Sequence, residues 1–254
     1  MLKVDRSALY TFWFRHYSRR EFKKHFDKVR VFGSANLQNV NREIPMILYS
    51  NHSYWWDGFW SQLCNEAYLN QNLFIIIEYK QLVRYQFFRK LGAFSIVREN
   101  PREAIETLNY AVECLLSPSA KPNGLWIFPQ GTIESVEKRP LNFFNGTAKI
   151  AEKILQKKHS VYLTPFATRI EYLGEQKPEL WLSFRAPKIL TPESSINPKV
   201  LTEEMESEVT SELDLLKERG IAKDVRGGEI LVEGSASINK KWDLFREKFF
   251  PKRK

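Results

Sequence analysis

Apolar and polar positions along this chain fall into two alternating patterns. Short, nearly continuous apolar runs at 45–50, 73–78, 93–97, 124–128, 161–168 and 179–185 read as buried strands. Between several of them, apolar residues recur at helical spacing over 56–69, 80–90, 101–116 and 144–158, and Pro101 suits the start of the third of these helices. Strand followed by helix, repeated, predicts an α/β fold with a mostly parallel mixed sheet flanked by helices. Two further helices frame it. One covers about 5–27 and leads into the strand-like run Val29-Arg30-Val31-Phe32-Gly33. The other is charged and amphipathic, covers 198–219, and is ended by Gly220 ahead of a short strand or loop at 227–232. There is no internal repeat. The expectation is a single α/β domain: an N-terminal amphipathic helical segment (1–30), a core (31–195), and a C-terminal helical extension packed on the core (196–254).

The bulk numbers leave this picture intact and add a charge. At 254 residues and 43% hydrophobic, the chain can bury one large core. Its 39 Lys and Arg against 30 Asp and Glu give a formal +9, which suits partners carrying phosphates or carboxylates. The basic residues are interleaved with acids and no nucleic-acid-binding signature appears, so no nucleic acid is expected as a partner. Cys64 and Cys114 lie in apolar helical contexts without metal-ligand spacing and read as buried thiols. Lys3, Asp5 and Arg6 precede any apolar run, so no signal peptide is expected, and no apolar run is long enough to span a bilayer. Aromatic residues nonetheless sit beside cations at both ends. Leu9 to Tyr17 runs into Arg19, Arg20, Lys23 and Lys24, and Trp242, Phe245, Phe249 and Phe250 run into Lys252-Arg253-Lys254. This pattern fits a peripheral membrane surface, with the protein expected in the cytoplasm on the cytoplasmic membrane face. Packing of the N-terminal helix on its own domain explains the same residues equally well.

Chemistry enters at Asn51-His52-Ser53-Tyr54-Trp55-Trp56-Asp57. A neutral imidazole can take a proton from a hydroxyl near neutral pH, and a carboxylate on its other nitrogen orients it and stabilises the imidazolium. Residues five apart on one helix lie about 140° apart. His52 and Asp57 therefore meet only if His52 sits in a turn before the helix that carries Asp57, with Ser53 as the expected N-cap. In α/β sheets the turns at the carboxyl ends of strands gather ligands. Phe128-Pro129-Gln130-Gly131-Thr132 closes another strand and Arg98 ends a third, so three turns are expected to converge.

Taken together, these turns resemble the glycerolipid (1-acylglycerol-3-phosphate and glycerol-3-phosphate) acyltransferase superfamily, whose members move acyl chains from coenzyme A or acyl carrier protein. Four ordered blocks carry the resemblance across about residues 45 to 170. His52 to Asp57 matches the His-x4-Asp block in full, and Gly92-Ala93-Phe94-Ser95-Ile96-Val97-Arg98 answers the second. Phe128-Pro129-Gln130-Gly131-Thr132-Ile133-Glu134-Ser135 stands for the family's Phe-Pro-Glu-Gly-Thr-Arg-Ser, and Val161 to Ala167, with Pro165, stands for the fourth. The resemblance implies an O-acyltransferase in which His52 is the general base and Asp57 its orienting partner. It also implies substrate binding by Arg98, Gln130, Gly131 and Thr132: Arg98 on a phosphate, the Gly131 amide on the oxyanion, and Thr132 through its hydroxyl. Acyl-CoA or acyl-ACP would be the co-substrate, with no other cofactor, and a membrane lipid would be the acceptor.

The third block departs from the family. Gln130 replaces a glutamate, Ile133 replaces an arginine, and Glu134 adds a negative charge. Losing the arginine removes a bidentate phosphate contact. Tyr54, Trp55, Trp56 and Trp60 crowd the His52 turn and suit an apolar acceptor or a sugar ring. The expected acceptor is therefore a lipid or glycolipid hydroxyl. Ordinary lysophosphatidic acid acylation and an inactive lipid-binding relative are the alternatives. A serine hydrolase is disfavoured because there is no Gly-x-Ser-x-Gly turn. A metal site is not expected: His16, His25 and His159 are isolated and no His-Glu-x-x-His is present.

Overall fold

The computed structural model describes residues 1–236, Asn239 and Trp242. The rest of the basic aromatic tail at 240–254 lies outside the described residues. In chain order the elements are α1 (Ala8–His25), β1 (Lys28–Phe32), β2 (Met46–Tyr49), α2 (Asp57–Cys64), β3 (Asn72–Glu78), α3 (Tyr79–Arg84), α4 (Phe87–Lys90) and β4 (Ala93–Ile96). They continue with α5 (Pro101–Leu116), β5 (Asn123–Ile127), α6 (Gly146–Gln156), β6 (Val161–Glu171), β7 (Glu179–Phe184), β8 (Lys188–Leu190), α7 (Pro198–Ala222) and β9 (Glu229–Glu233). Strands pair in the order β4-β3-β5-β2-β6-β7-β1-β9, with β8 added on β6. Pairs β2–β5, β2–β6, β3–β4, β3–β5 and β1–β7 are parallel, and β6–β7, β6–β8 and β1–β9 are antiparallel. The expected α/β class with a mostly parallel mixed sheet is what the chain adopts.

Successive side chains of a strand face opposite sides of the sheet, and here both sides are covered. In β2, Ile47 and Tyr49 join α5, α6 and α7 in one core, while Met46 and Leu48 join α1 and α2 in the other. That is why Met46-Ile47-Leu48-Tyr49 is apolar without alternation. Cys64 and Cys114 are both buried free thiols. No helix among the described residues is long and apolar enough to cross a membrane.

Several boundaries differ from expectation for physical reasons. The helix expected over 56–69 starts one residue later and ends in a π-helical turn at Asn65–Leu69, where Asn70 takes a left-handed conformation (φ 51°). The expected 80–90 helix is two pieces, α3 and α4, separated at Tyr85 and Gln86. Gly220 does not stop α7. A Cβ there would lie 2.8 Å from the Glu171 side chain, so this glycine serves close packing, and Lys223 (φ 51°) takes the left-handed C-cap instead. Strand β8, three residues between two prolines, was too short to read from its pattern. For the site, the decisive pairing is Tyr49 with Ile127 at the carboxyl ends of β2 and β5, which sets their following turns side by side.

Candidate active site

The turn after β2 begins with buried Asn51. Its Nδ2 donates to Ser53 Oγ (3.0 Å) and to the Thr168 carbonyl (3.1 Å), while its Oδ1 accepts the Thr168 N–H (2.9 Å). This bolts the turn to β6. Tyr54 adds a second bolt: its hydroxyl oxygen accepts the Ile170 N–H at 3.1 Å, and burial pushes its pKa up to about 12. Neither anchor was assigned from the sequence. Asn51 stands inside the quoted motif, but its spacing says nothing of a partner 117 positions away.

His52 follows, outside any helix, and α2 starts at Asp57. Nδ1 of His52 lies 2.7 Å from Asp57 Oδ2. Asp57 is fully buried. Its Oδ2 also accepts the N–H groups of Ser53 (3.0 Å) and Tyr54 (3.1 Å), and its Oδ1 accepts Trp60 Nε1–H (3.1 Å). An ionised carboxylate has only acceptor sites, and four donors occupy them here. With Nδ1 committed to Asp57 as donor, Nε2 of His52 is the basic nitrogen. Nε2 takes no hydrogen bond among the described residues, and the side chain keeps 23% of its surface exposed. Phe128 stacks on the ring, centroid to centroid 4.6 Å at 23°. The geometry expected for a proton acceptor held by a carboxylate is present. Ser53 is not the helix cap it was expected to be: α2 is preceded by Trp56, which makes no side-chain cap bond. Instead Asp57 reaches back and takes the N–H of Ser53.

The turn after β5 is fastened to the His52 turn at two points. Gln130, 3% exposed, accepts the His52 N–H on Oε1 at 2.7 Å, and the Glu134 N–H donates to the His52 carbonyl at 2.9 Å. Gln130, expected among the substrate-binding residues, is thus turned toward the His52 backbone. Oxygen is the atom used, so a family glutamate and this glutamine supply the same acceptor. Gly131 has φ 69°, and its N–H donates to the Phe128 carbonyl at 2.9 Å, so that amide is not the free oxyanion donor expected of it. A Cβ on Gly131 would meet Arg98 Nη1 at 2.0 Å, so the close approach this glycine permits is that of Arg98. The N–H groups of Thr132 and Ile133 make no hydrogen bond among the described residues; the Thr132 hydroxyl lies 3.4 Å from Glu134 Oε1.

Arg98 sits two residues beyond β4, half-buried, over the Phe144 ring at 5.8 Å. No carboxylate pairs with it among the described residues. The three expected turns do converge. Glu134 is neutralised by Lys138 Nζ at 2.9 Å, and this pairing, together with the Thr132 hydroxyl, holds its carboxyl below the usual range. The repulsion of phosphate expected from Glu134 is correspondingly reduced. The aromatic crowd is also dispersed. Trp60 is fully buried, Trp56 packs on Phe22 and His25 of α1 and on Phe26 just beyond it, and only Trp55 is exposed, at 65%. Among the described residues no group of three or more His, Cys, Asp or Glu could hold a metal ion.

No curated protein matches the sequence. A family model described as Acyltransferase matches residues 28–169, from the start of β1 to within β6, which takes in all three converging turns and more than half of the chain. The chain therefore belongs to the acyltransferase family, within the glycerolipid acyltransferase superfamily.

Proposed function

We propose that this protein transfers a fatty acyl group from an acyl thioester, acyl-CoA or acyl-ACP, to a hydroxyl of a membrane lipid or glycolipid. The observation that carries the reading is the buried Asp57 carboxylate 2.7 Å from His52 Nδ1, with Nε2 of the same ring left without a partner among the described residues. In the proposed step Nε2 takes the proton of the acceptor hydroxyl as its oxygen attacks the thioester carbonyl. The C–O bond forms, the C–S bond breaks, and the proton passes from Nε2 to the departing sulfur. The N–H groups of Thr132 and Ile133, unpaired among the described residues, are the donors offered to the developing oxyanion in place of Gly131. Asp57 orients the ring and stabilises its cationic form.

The acceptor reading rests on Ile133, half-exposed at 52% where the family carries arginine, and on the exposed Trp55 three positions after His52. Delivery from a membrane is supported by α1. Leu9, Phe12, Trp13 and Tyr17 are exposed on it alongside Arg20, Lys23 and Lys24, and its buried Phe14 packs on Phe59, which in turn contacts Trp55. A second reading, acylation of an ordinary lysophosphatidic acid, is favoured by Arg98, a half-buried guanidinium with no anionic partner among the described residues. Isotope-labelled acyl thioester incubated with crude lipid extract separates these outcomes. A labelled neutral or sugar-headed lipid is expected. Labelled phosphatidic acid alone would replace the acceptor reading with the second one. Lipid binding with no labelled product from any acceptor would mean an inactive relative. Flotation with anionic vesicles tests the surface, and a wholly soluble protein would remove it.

A further inference from the structure

The loop from the end of β5 to the start of α6 carries Gln130, which holds the His52 N–H, yet the loop itself is tied down by α7. Glu206 of α7 accepts two main-chain N–H groups of the loop, Asn142 on Oε1 (3.1 Å) and Phe143 on Oε2 (2.9 Å). The next residue, Phe144, donates its N–H to the Pro129 carbonyl at 2.9 Å. Pro129 adjoins Gln130, whose Oε1 receives the His52 N–H at 2.7 Å. The path from Glu206 to the His52 backbone is therefore three sets of hydrogen bonds joined by adjacent residues. Asn142 is in the left-handed region (φ 58°), a conformation that costs an asparagine little but that nothing in a free loop would select.

The same helix touches the loop elsewhere. Asp214 pairs with Arg139 (2.6 Å), and Lys217 pairs with Glu137 (2.9 Å), which also meets Arg169 (2.7 Å). Residues 206 and 217 are eleven apart, about 20° from eclipsed on an α-helix, so one face of α7 makes these ties. The ion pairs are largely exposed, with Asp214 59% and Glu137 46% accessible, and exposed pairs contribute about 1 kcal/mol or less. Glu206 differs because both its oxygens fix main chain. A carboxylate on two backbone N–H groups sets where the loop runs, whereas a pair between two long side chains tolerates several loop positions.

We propose that Glu206 is a positioning residue for the candidate active site, acting through the 142–144 backbone and Gln130 on the orientation of His52. Helix α7 begins beyond residue 169, outside the matched family region, so the family assignment does not contain this role. The catalytic consequence rests on the acyl-transfer reading; the structural one does not. Hydrogen exchange on Glu206→Ala therefore comes first. The amide of His52 is expected to exchange about tenfold faster, together with those of Asn142 and Phe143, while β7 amides stay within about twofold of wild type. Faster exchange confined to 142 and 143 would overturn the proposal. Should β7 also loosen, Glu206→Gln, which keeps one acceptor oxygen, decides. A faster His52 amide with β7 intact supports the proposal, and no change at His52 overturns it.

Turnover forms the second arm. Where wild type shows acyl transfer, Glu206→Ala should lower kcat about tenfold and leave KM for the thioester within about twofold. Adding Glu206→Ala to Gln130→Ala should cost little more than Gln130→Ala alone, since both act along one path. Additive losses would overturn the route through Gln130. Absence of wild-type turnover would instead count against the function reading and leave the exchange result standing.

Discussion

In the turn after β2, the four donors to Asp57 come from residues three to five positions away, whereas the hydrogen bonds that tie the loop after β5 to His52 and α7 join residues 63 to 82 positions apart. The first segment organises its catalytic pair around one carboxylate, and Asn51 and Tyr54 then anchor it to Thr168 and Ile170 of β6. The second is placed by its neighbours: His52 on one side, α7 on the other. The two meet at the His52 backbone, which accepts from Glu134 and donates to Gln130. A turn whose catalytic pair is set by local hydrogen bonds should lose most function when its own residues change. A loop held from outside should respond to changes far along the chain.

The largest effect is expected at His52. Removing a general base costs about 10²- to 10⁴-fold in rate, so a folded His52→Ala protein should lose at least about 10²-fold in kcat. Near wild-type transfer by that variant would remove His52 from the mechanism. Asp57→Asn comes next and probes the self-organised turn. The amide can keep some of the four hydrogen bonds but not all, because it replaces one acceptor oxygen with a donor. A kcat loss smaller than that of His52→Ala is expected, with about 1–3 kcal/mol of stability lost as buried N–H groups go unpaired. Denaturant unfolding measures the second quantity. An unchanged midpoint would show that the turn does not depend on its carboxylate.

Gly131→Ala tests the other segment. At φ 69° a Cβ costs about 1–2 kcal/mol, and here it would also displace Arg98, whose Nη1 lies 2.0 Å from the Cβ position. Lower stability and a higher KM for a phosphate-bearing substrate are expected, with kcat less affected than in Asp57→Asn. Unaltered KM would separate Arg98 from substrate binding.

The same contrast explains what could be read from the sequence. The His52–Asp57 pair was legible because five-residue spacing after a strand leaves one way for the two to meet. The start of α5 at Pro101 and the apolar run of β2 were legible for similar local reasons. Gln130 was visible as a departure from a family pattern, yet its task was not, because its partner is the His52 backbone 78 positions away. Gly131 was read as a ligand-facing amide; its N–H closes a turn, and its missing side chain makes room for Arg98. Gly220 looked like a helix stop because glycine commonly is one, and only the approach of Glu171 reveals its packing role. Local chemistry leaves a spacing in the sequence. Contacts between distant segments leave only a residue type.

The smallest effect concerns pH and the ties between the loop and α7. Hydrogen bonds from Lys217, and then from Arg169, hold the Glu137 carboxyl below the usual carboxylate range. A carboxyl whose pKa is depressed in the folded state stabilises that state above its ordinary pKa, near 4.5, and the contribution is lost as pH falls through the lower folded value. Glu137 is well exposed, so solvent screening limits the gain to about 1 kcal/mol or less. Acidification from pH 6 to 3 should therefore speed amide exchange in the 135–140 part of the loop in wild type more than in Glu137→Gln, once both are corrected for intrinsic exchange. The turn at 51–57, closed by its own carboxylate, should show no difference between the two proteins above the ordinary carboxylate range. Equal acid sensitivity in the loop of both proteins would mean that the Glu137 ion pairs do not hold it. Glu206, bound to main chain through both oxygens, and Asp214, paired with Arg139, would then be the remaining ties from α7.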